Sequence, residues 1–176
     1  MRIGEYDVKA PLILGGDDNE AEAFGAAVWL WMHSPMHRNA PLHTLPTLLL
    51  PIIKLQQYVL VSHQNQPVFF LSWAWMDQDA EMRYLTQSAV NMLESDWCCG
   101  ERLWFCDWIA PFGHTRAMCN LIAREVFPYS CMRALYHRGD TRGKRVVEFK
   151  GAQVSHQQAK EWRINHPLAI PRSEIQ

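Results

Sequence analysis

At 176 residues, 20% of them charged and with a formal net charge of -1, the chain is long enough to fold as one domain that buries roughly 70% of its unfolded surface without disulfides or a structural metal. That balance excludes the basic excess of a nucleic-acid binder and the composition of an acidic disordered chain, although eight histidines turn the net charge positive a little below neutrality. The five cysteines (Cys98, Cys99, Cys106, Cys119, Cys131) form no CxxC pair, which argues for a reducing cytoplasm, and no apolar run is long enough for an export signal or a bilayer span.

Residues 1–16, with Pro11 and Gly15-Gly16, read as an irregular N-terminal arm. Asp17 or Asp18 can cap a helix with Glu20 and Glu22 in its first turn and Phe24, Ala27, Val28 and Trp31 on its inner face. Pro35 should end that helix near Ser34. A second helix is expected from Thr44, kinked at Pro51, with Leu48, Ile52 and Leu55 inward. Residues 58–62 and 68–75 read as strands joined by the polar loop HQNQP. A third helix is expected from Asp77 or Asp79 to about Asp96, with Tyr84, Ala89 or Val90, and Leu93 inward.

A strand over 103–109, the turn APFGH, a helix over 115–127 and a strand over 131–138 follow. The basic turn RGDTRGKR then leads to a strand over 146–150. Ser155 can cap a last short helix containing Trp162, and 166–176 reads as a loose tail. The order predicts one α+β or α/β domain over 17–165, a mixed central sheet with helices on both faces.

Chemistry concentrates in WFCDWIAPFG, from Trp104 to Gly113. Asp107 lies inside an apolar strand, where an ionised carboxylate is costly unless a cation or donors meet it. The segment SPMHRN offers a partner: His37 follows a helix end and is flanked by Ser34, Arg38 and Asn39. A loop histidine is more often solvated than catalytic, yet loops on rigid scaffolds carry function disproportionately. His33 and His37 have zinc-ligand spacing, but Pro35 interrupts the helix they would need and no HExxH accompanies them, so no metal site is assigned. Ser34 lacks a GxSxG elbow and reads as a cap or a site hydrogen bond before it reads as a nucleophile. Cys98-Cys99 carry no sign of activation. Gly113 before a helix could admit a phosphate, though a plain turn explains it as well. Arg138, Arg142, Lys144 and Arg145 could dock an acidic partner or simply be a solvated hairpin tip.

SPMHRN, the Pro-containing helix, QYVLVSHQNQPVFFLSWA and DWCCGERLWFCDWIAPFGH together resemble the RTX toxin-activating lysine acyltransferases. The similarity runs from about Val28 to Gly151, carried by SPxHRN and DWIAPFG in this order. The arm is longer than in that family and the chain after about Ser155 matches poorly. The resemblance implies a fold similar to the GCN5-related N-acetyltransferases (GNAT-like). It also implies transfer of a fatty acyl group from acyl-acyl carrier protein to the ε-amine of internal lysines of an RTX protoxin, in the cytoplasm and without stable membrane insertion. It places the family's essential His and Asp on His37 and Asp107, and a less strict Ser on Ser34. APFGH stands where acetyl-CoA-using relatives have a Gly-rich pyrophosphate loop, which suits a carrier-borne acyl-phosphopantetheine better than free CoA or any tightly bound cofactor.

The substrate-binding set is then Asn39, Trp104, Pro111, Phe112, Gly113 and His114, with an acyl groove near Phe69, Leu71, Trp73 and Trp104, and carrier docking at Arg138, Arg142, Lys144 and Arg145. A homodimer is compatible with Trp-rich surfaces. A non-catalytic chaperone or binding partner of the toxin or carrier is the alternative from another class, and the His37 and Asp107 pair argues against it. An acetyltransferase using free CoA is disfavoured by the missing Gly-rich loop.

Overall fold

β-Branched and aromatic residues dominate YVLVSH and QPVFFLSWAWM, and in the computed structural model these are β3 (Tyr58–His63) and β4 (Gln66–Met76). The structure describes residues 1–136 and 145–175. Gln64 and Asn65 close the hairpin with φ of 50° and 62°, the left-handed geometry a two-residue loop between twisted strands needs. HQNQP is therefore a tight turn flanked by paired residues, with His63 opposite Gln66.

Among the described residues, seven strands form one mixed sheet in chain order: β1 (Arg2–Ile3), β2 (Tyr6–Lys9), β3, β4, β5 (Arg102–Ile109), β6 (Cys131–Leu135) and β7 (Val146–Lys150). The pairs β1–β2, β2–β3, β3–β4 and β6–β7 are antiparallel, and β5–β6 is parallel. With several helices between the strands this is an α+β architecture consistent with the GNAT-like class. No helix among the described residues is long and apolar enough to cross a membrane.

The N-terminal arm differs from expectation. Tyr6 to Lys9 pair with β3 from His63 to Leu60, and Val8 is buried while Asp7 and Lys9 are exposed. Four alternating residues are too few to announce a strand, and the ladder with β3 supplies the rest. A short helix, α1 (Pro11–Leu14), follows.

The chain divides into two compact units, Met1–Trp73 with Asp107–Leu121, and Ala74–Cys106 with Ile122–Gln176. In the first, α2 (Glu20–His33) is capped by Asn19, whose side chain accepts the Glu22 amide at 3.0 Å. Asp18 instead accepts from Tyr58 Oη and Gln56 Nε2. The buried face of α2 is Ala23, Ala27, Leu30 and Trp31, so Phe24 and Val28 are only half-buried. The proline-rich helix splits into α3 (Leu45–Leu48) and α4 (Leu50–Lys54) at Leu49, just before Pro51 withdraws a backbone donor.

In the second unit, α5 (Gln78–Thr86) starts at Asp77, as expected, but stops ten residues short of Asp96. Arg83 reaches Asp96 with Nε at 2.9 Å and Nη2 at 2.5 Å, and the Leu93 amide donates to the same carboxylate at 3.0 Å. The chain folds back to make these bonds, through two 3₁₀ turns that leave Val90 and Leu93 exposed rather than inward. Gly100 is required there, because a Cβ would run into the Met76 backbone.

α6 (Thr115–Leu121) gives way to a π-helical turn, Ile122–Val126, where one continuous helix was expected. α7 (His156–Asn165) opens with a reciprocal Ser155 and Gln158 capping box.

Glu81 is the polar centre of the second unit. Fully buried, it accepts from Arg102 Nη1 (2.5 Å), Arg133 Nη1 (3.0 Å), Trp104 Nε1 (2.9 Å) and the Ala169 amide (2.9 Å). Arg102 and Arg133 also donate to the carbonyls of Pro167 and His166, so residues 166–169 of the expected tail are tied to this cluster. Of the eight tryptophans, Trp31, Trp73, Trp97 and Trp104 are buried and Trp29, Trp75, Trp108 and Trp162 are half-buried.

Candidate active site

Pro35 forces the residue before it out of helical geometry, and Ser34 accordingly ends α2 at φ -93° and ψ 121°. The Ser34 carbonyl then accepts the amides of His37 (3.0 Å) and Arg38 (2.9 Å), and the Ala40 amide returns to the His37 carbonyl at 2.8 Å. SPMHRN is therefore a tight turn fastened to the end of a helix, and it fixes where the His37 ring points. That ring lies 4.9 Å from the Trp31 ring, centroid to centroid.

His37 and Asp107 meet. Nε2 is 3.3 Å from Asp107 Oδ1, and both side chains are largely buried, 18% and 13% exposed. Nδ1 is 2.8 Å from Ser34 Oγ. A carboxylate only accepts, so Nε2 carries the proton when His37 is neutral, and Nδ1 accepts from the Ser34 hydroxyl. The line Ser34, His37, Asp107 thus runs hydroxyl to imidazole to carboxylate.

Ser72 completes it. Its hydroxyl donates to Asp107 Oδ2 at 2.5 Å and accepts the Asp107 amide at 3.0 Å, from a fully buried position on β4. Ser72 is not among the residues expected from the sequence, although a single hydroxyl inside VFFLSWAW is the same signal as Asp107 in its own strand: a polar group in an apolar strand needs a partner.

The remaining expected residues separate. Asn39 is exposed on the same turn as His37. Pro111, Phe112, Gly113 and His114 form the turn after β5, with Gly113 at φ 86°, a value that favours glycine. Phe112 is 40% exposed, and its ring clusters with Trp29 at 5.7 Å and His33 at 5.4 Å. His33 Nδ1 donates to the Trp29 carbonyl at 2.8 Å, away from the His37 ring's partners. His114 packs near Tyr6 and His63, with centroids 6.1 and 6.2 Å away, and burial together with Glu5 pushes the Tyr6 phenol up.

Trp104 belongs to the second unit, where its indole is spent on Glu81 and its ring meets Tyr84 edge-on. Phe69, Leu71, Trp73 and Trp104 are all fully buried, so as folded they are core and not the walls of an open groove. Of the expected docking cations only Arg145 is described, exposed and 5.7 Å from the Tyr136 ring; Arg138, Arg142 and Lys144 lie outside the described residues. Burial raises the Cys99, Cys119 and Cys131 thiols above the ordinary range, which keeps them protonated and weakly nucleophilic.

Comparison with known proteins places the chain among lysine acyltransferases by similarity. The chain is 43% identical over 147 residues to a protein-lysine palmitoyltransferase of Bordetella bronchiseptica, covering 81% of this chain and 77% of that one. It is 38% identical over 145 residues to a leukotoxin-activating lysine-acyltransferase of Aggregatibacter actinomycetemcomitans, covering 82% and 84%. A protein-lysine myristoyltransferase of Escherichia coli is 37% identical over 140 residues, covering 80% and 81%. The sequence model of the RTX toxin acyltransferase family matches residues 17–150, which include Ser34, His37, Ser72 and Asp107, and the chain belongs to that family.

Proposed function

We propose that this acyltransferase moves a fatty acyl chain from acyl-acyl carrier protein to the ε-amine of internal lysines in an RTX protoxin, in the cytoplasm, with His37 as base and Asp107 as its orienter. The observation that carries the reading is the continuous line of polar contacts from Ser34, hydrogen-bonded to His37, across the 3.3 Å approach of His37 to Asp107, to Ser72, hydrogen-bonded to Asp107.

A lysine with the ordinary pKa near 10.4 is a free amine in roughly one molecule in a few thousand at neutral pH, so the reaction needs a proton acceptor beside the amine. Asp107 holds the Nε2 proton and stabilises the imidazolium, which leaves Nδ1 as the accepting nitrogen. Because Ser34 Oγ lies on Nδ1, the amine approaches at this hydroxyl, and Ser34 relays its proton to His37 or yields its place. Once the ammonium has released one proton to solvent, the neutral amine nitrogen attacks the thioester carbon, the proton it sheds on becoming an amide passes to His37, the carbon–sulfur bond breaks, and His37 returns that proton to the departing pantetheine thiolate. The Pro111 to His114 turn, with the exposed ring of Phe112 beside Trp29 and His33, suits the entry of the thioester arm.

The same 2.8 Å contact favours a second reading. Ser34 Oγ, deprotonated by His37, attacks the thioester carbon and takes the acyl group as an ester while His37 protonates the departing pantetheine thiolate; the lysine amine then attacks the ester, and His37 carries its proton to the departing Ser34 oxygen. Incubation with radiolabelled acyl-acyl carrier protein without toxin, followed by a toxin chase, separates the two: chaseable label on the enzyme selects the ester route. The reading as a whole is tested by mass spectrometry of a cognate RTX protein co-expressed with and without this chain. Acyl mass on internal lysines is expected, and unmodified lysines would overturn it.

A further inference from the structure

The second unit holds a concentration of arginines built partly from residues outside the 17–150 family match. A cleft of about 580 Å³ is lined by Arg133 on β6, Glu148 on β7, Arg163 on α7, and the 167–172 run ending in Arg172. Glu148 sits among all three guanidiniums: Oε1 is 3.6 Å from Arg133 Nε and 3.9 Å from Arg172 Nη2, and Oε2 is 3.9 Å from Arg163 Nε. Each separation exceeds the roughly 2.7–2.9 Å of a charge-assisted hydrogen bond.

Arg133 makes the mismatch sharper. Its side chain is 2% exposed, and Nη1 and Nη2 are occupied by Glu81 and the His166 carbonyl. Nε is buried with no hydrogen-bond partner and faces Glu148. Arg163 and Arg172, by contrast, are more than half exposed at the cleft rim, and their forked donors are within reach of solvent. Including Arg102, four guanidiniums here share two carboxylates, Glu81 and Glu148, among the described residues, their other contacts being neutral: Arg163 Nε donates to the Ala159 carbonyl at 3.2 Å, Arg172 Nη1 to the Val146 carbonyl at 3.4 Å, and Arg133 lies over the Trp162 ring.

We propose that this cleft binds a phosphate dianion, borne on a monoester or free, with Glu148 as an internal stand-in that turns aside when the ligand enters. Guanidiniums from β6, α7 and the 167–172 run match a tetrahedral acceptor with three free oxygens better than a two-oxygen carboxylate. A dianion lying among the three arginines satisfies Arg133 Nε and uses the excess positive charge that Glu148 leaves unmatched. Arg133 and Glu148 fall inside the family-matched residues 17–150, whereas Arg163 and the 167–172 run lie beyond them. The inference is independent of acyl transfer.

The test is titration of the full chain with inorganic phosphate in a low-ionic-strength chloride buffer, followed by calorimetry and ³¹P line broadening. Saturable binding at one site is expected, at least tenfold weaker in the Arg163→Gln/Arg172→Gln variant and several-fold tighter in Glu148→Gln. The exposed arginines make loss of fold improbable in the double variant, and Glu148→Gln provides a change of opposite sign. Competition by 4′-phosphopantetheine identifies a phosphate-headed ligand as the occupant, and its failure identifies free phosphate. No saturable binding, equal binding in the double variant, or weaker binding in Glu148→Gln would each overturn the proposal.

Discussion

Ser72 and Asp107 grip each other twice: the serine hydroxyl donates to Asp107 Oδ2 at 2.5 Å while accepting the Asp107 amide at 3.0 Å. One side chain therefore fixes both the backbone and the carboxylate of the acid that faces His37, and it leaves Oδ1 as the oxygen for the imidazole. Removing the hydroxyl in Ser72→Ala strands a donor and an acceptor, which should lower stability by about 1–3 kcal/mol. Acylation turnover should fall about tenfold, because a carboxylate free to rotate orients His37 poorly. Urea unfolding and single-turnover acylation measure the two effects. A variant with lost stability but unchanged turnover would make Ser72 a purely structural residue. Ser72→Thr, which keeps the hydroxyl, should recover turnover if its methyl group is accommodated.

The roles of Ser34, His37 and Asp107 are separable by magnitude. His37→Ala and Asp107→Asn should each reduce acylation by about 10²–10⁴-fold while the protein stays folded, the range for loss of a positioned base or its support. Ser34→Ala distinguishes the two routes. As a relay Ser34 is replaceable by water, and the loss stays near tenfold; as the nucleophile its removal costs as much as removal of His37. Intact-mass analysis of toxin lysines gives all three rates on one scale, and wild-type rates in His37→Ala or Asp107→Asn would sink the assignment.

What was legible in the sequence follows how local each cause is. The His37 turn is set by Pro35 one residue away from Ser34, so SPMHRN could be read directly, and Asp107 announced itself as an acid in an apolar strand. Ser72 has the same character, but its partner is 35 residues distant and a lone serine in a strand commonly satisfies itself on nearby backbone. The early end of α5 was unreadable for a related reason: Arg83 and Asp96 stop it by pairing across 13 residues, while the residues between them continue a plausible helical pattern. The strand β2 depends on its ladder with β3, more than fifty residues later. The acyl groove failed because apolar residues on β4 and β5 serve the core equally well, and burial decides between those uses only after folding.

Glu81 should be the costliest single carboxylate in the second unit. Glu81→Ala takes from Arg133, 2% exposed, the carboxylate its Nη1 bonds, leaving Glu148 at 3.6 Å, and breaks the bonds from Arg102, Trp104 and the Ala169 amide. Uncompensated buried charge of this kind costs about 3–5 kcal/mol. The tail at 166–169 should detach at the same time, so limited proteolysis near residue 167 should accelerate in the variant. Stability close to wild type would mean that water reaches the cluster.

The Arg83 and Asp96 pair sets a pH dependence with a definite sign. The Arg83 guanidinium, hydrogen-bonded to both carboxylate oxygens, holds Asp96 below its ordinary value, and the Leu93 amide adds to the effect. A folded-state value below the unfolded one means that the unfolded chain binds the proton more readily as pH falls. The pair's contribution is therefore fully present above the unfolded aspartate value of about 3.9 and is lost as pH falls from there through the lowered folded value. Arg83→Gln should reduce stability at neutral pH and flatten its fall with acid below about pH 4 relative to wild type. Chemical denaturation at a series of pH values from neutrality downward measures both. Parallel curves for the variant and wild type through the acid range would show that Asp96 keeps its low value without Arg83, leaving the Leu93 amide as the dominant cause.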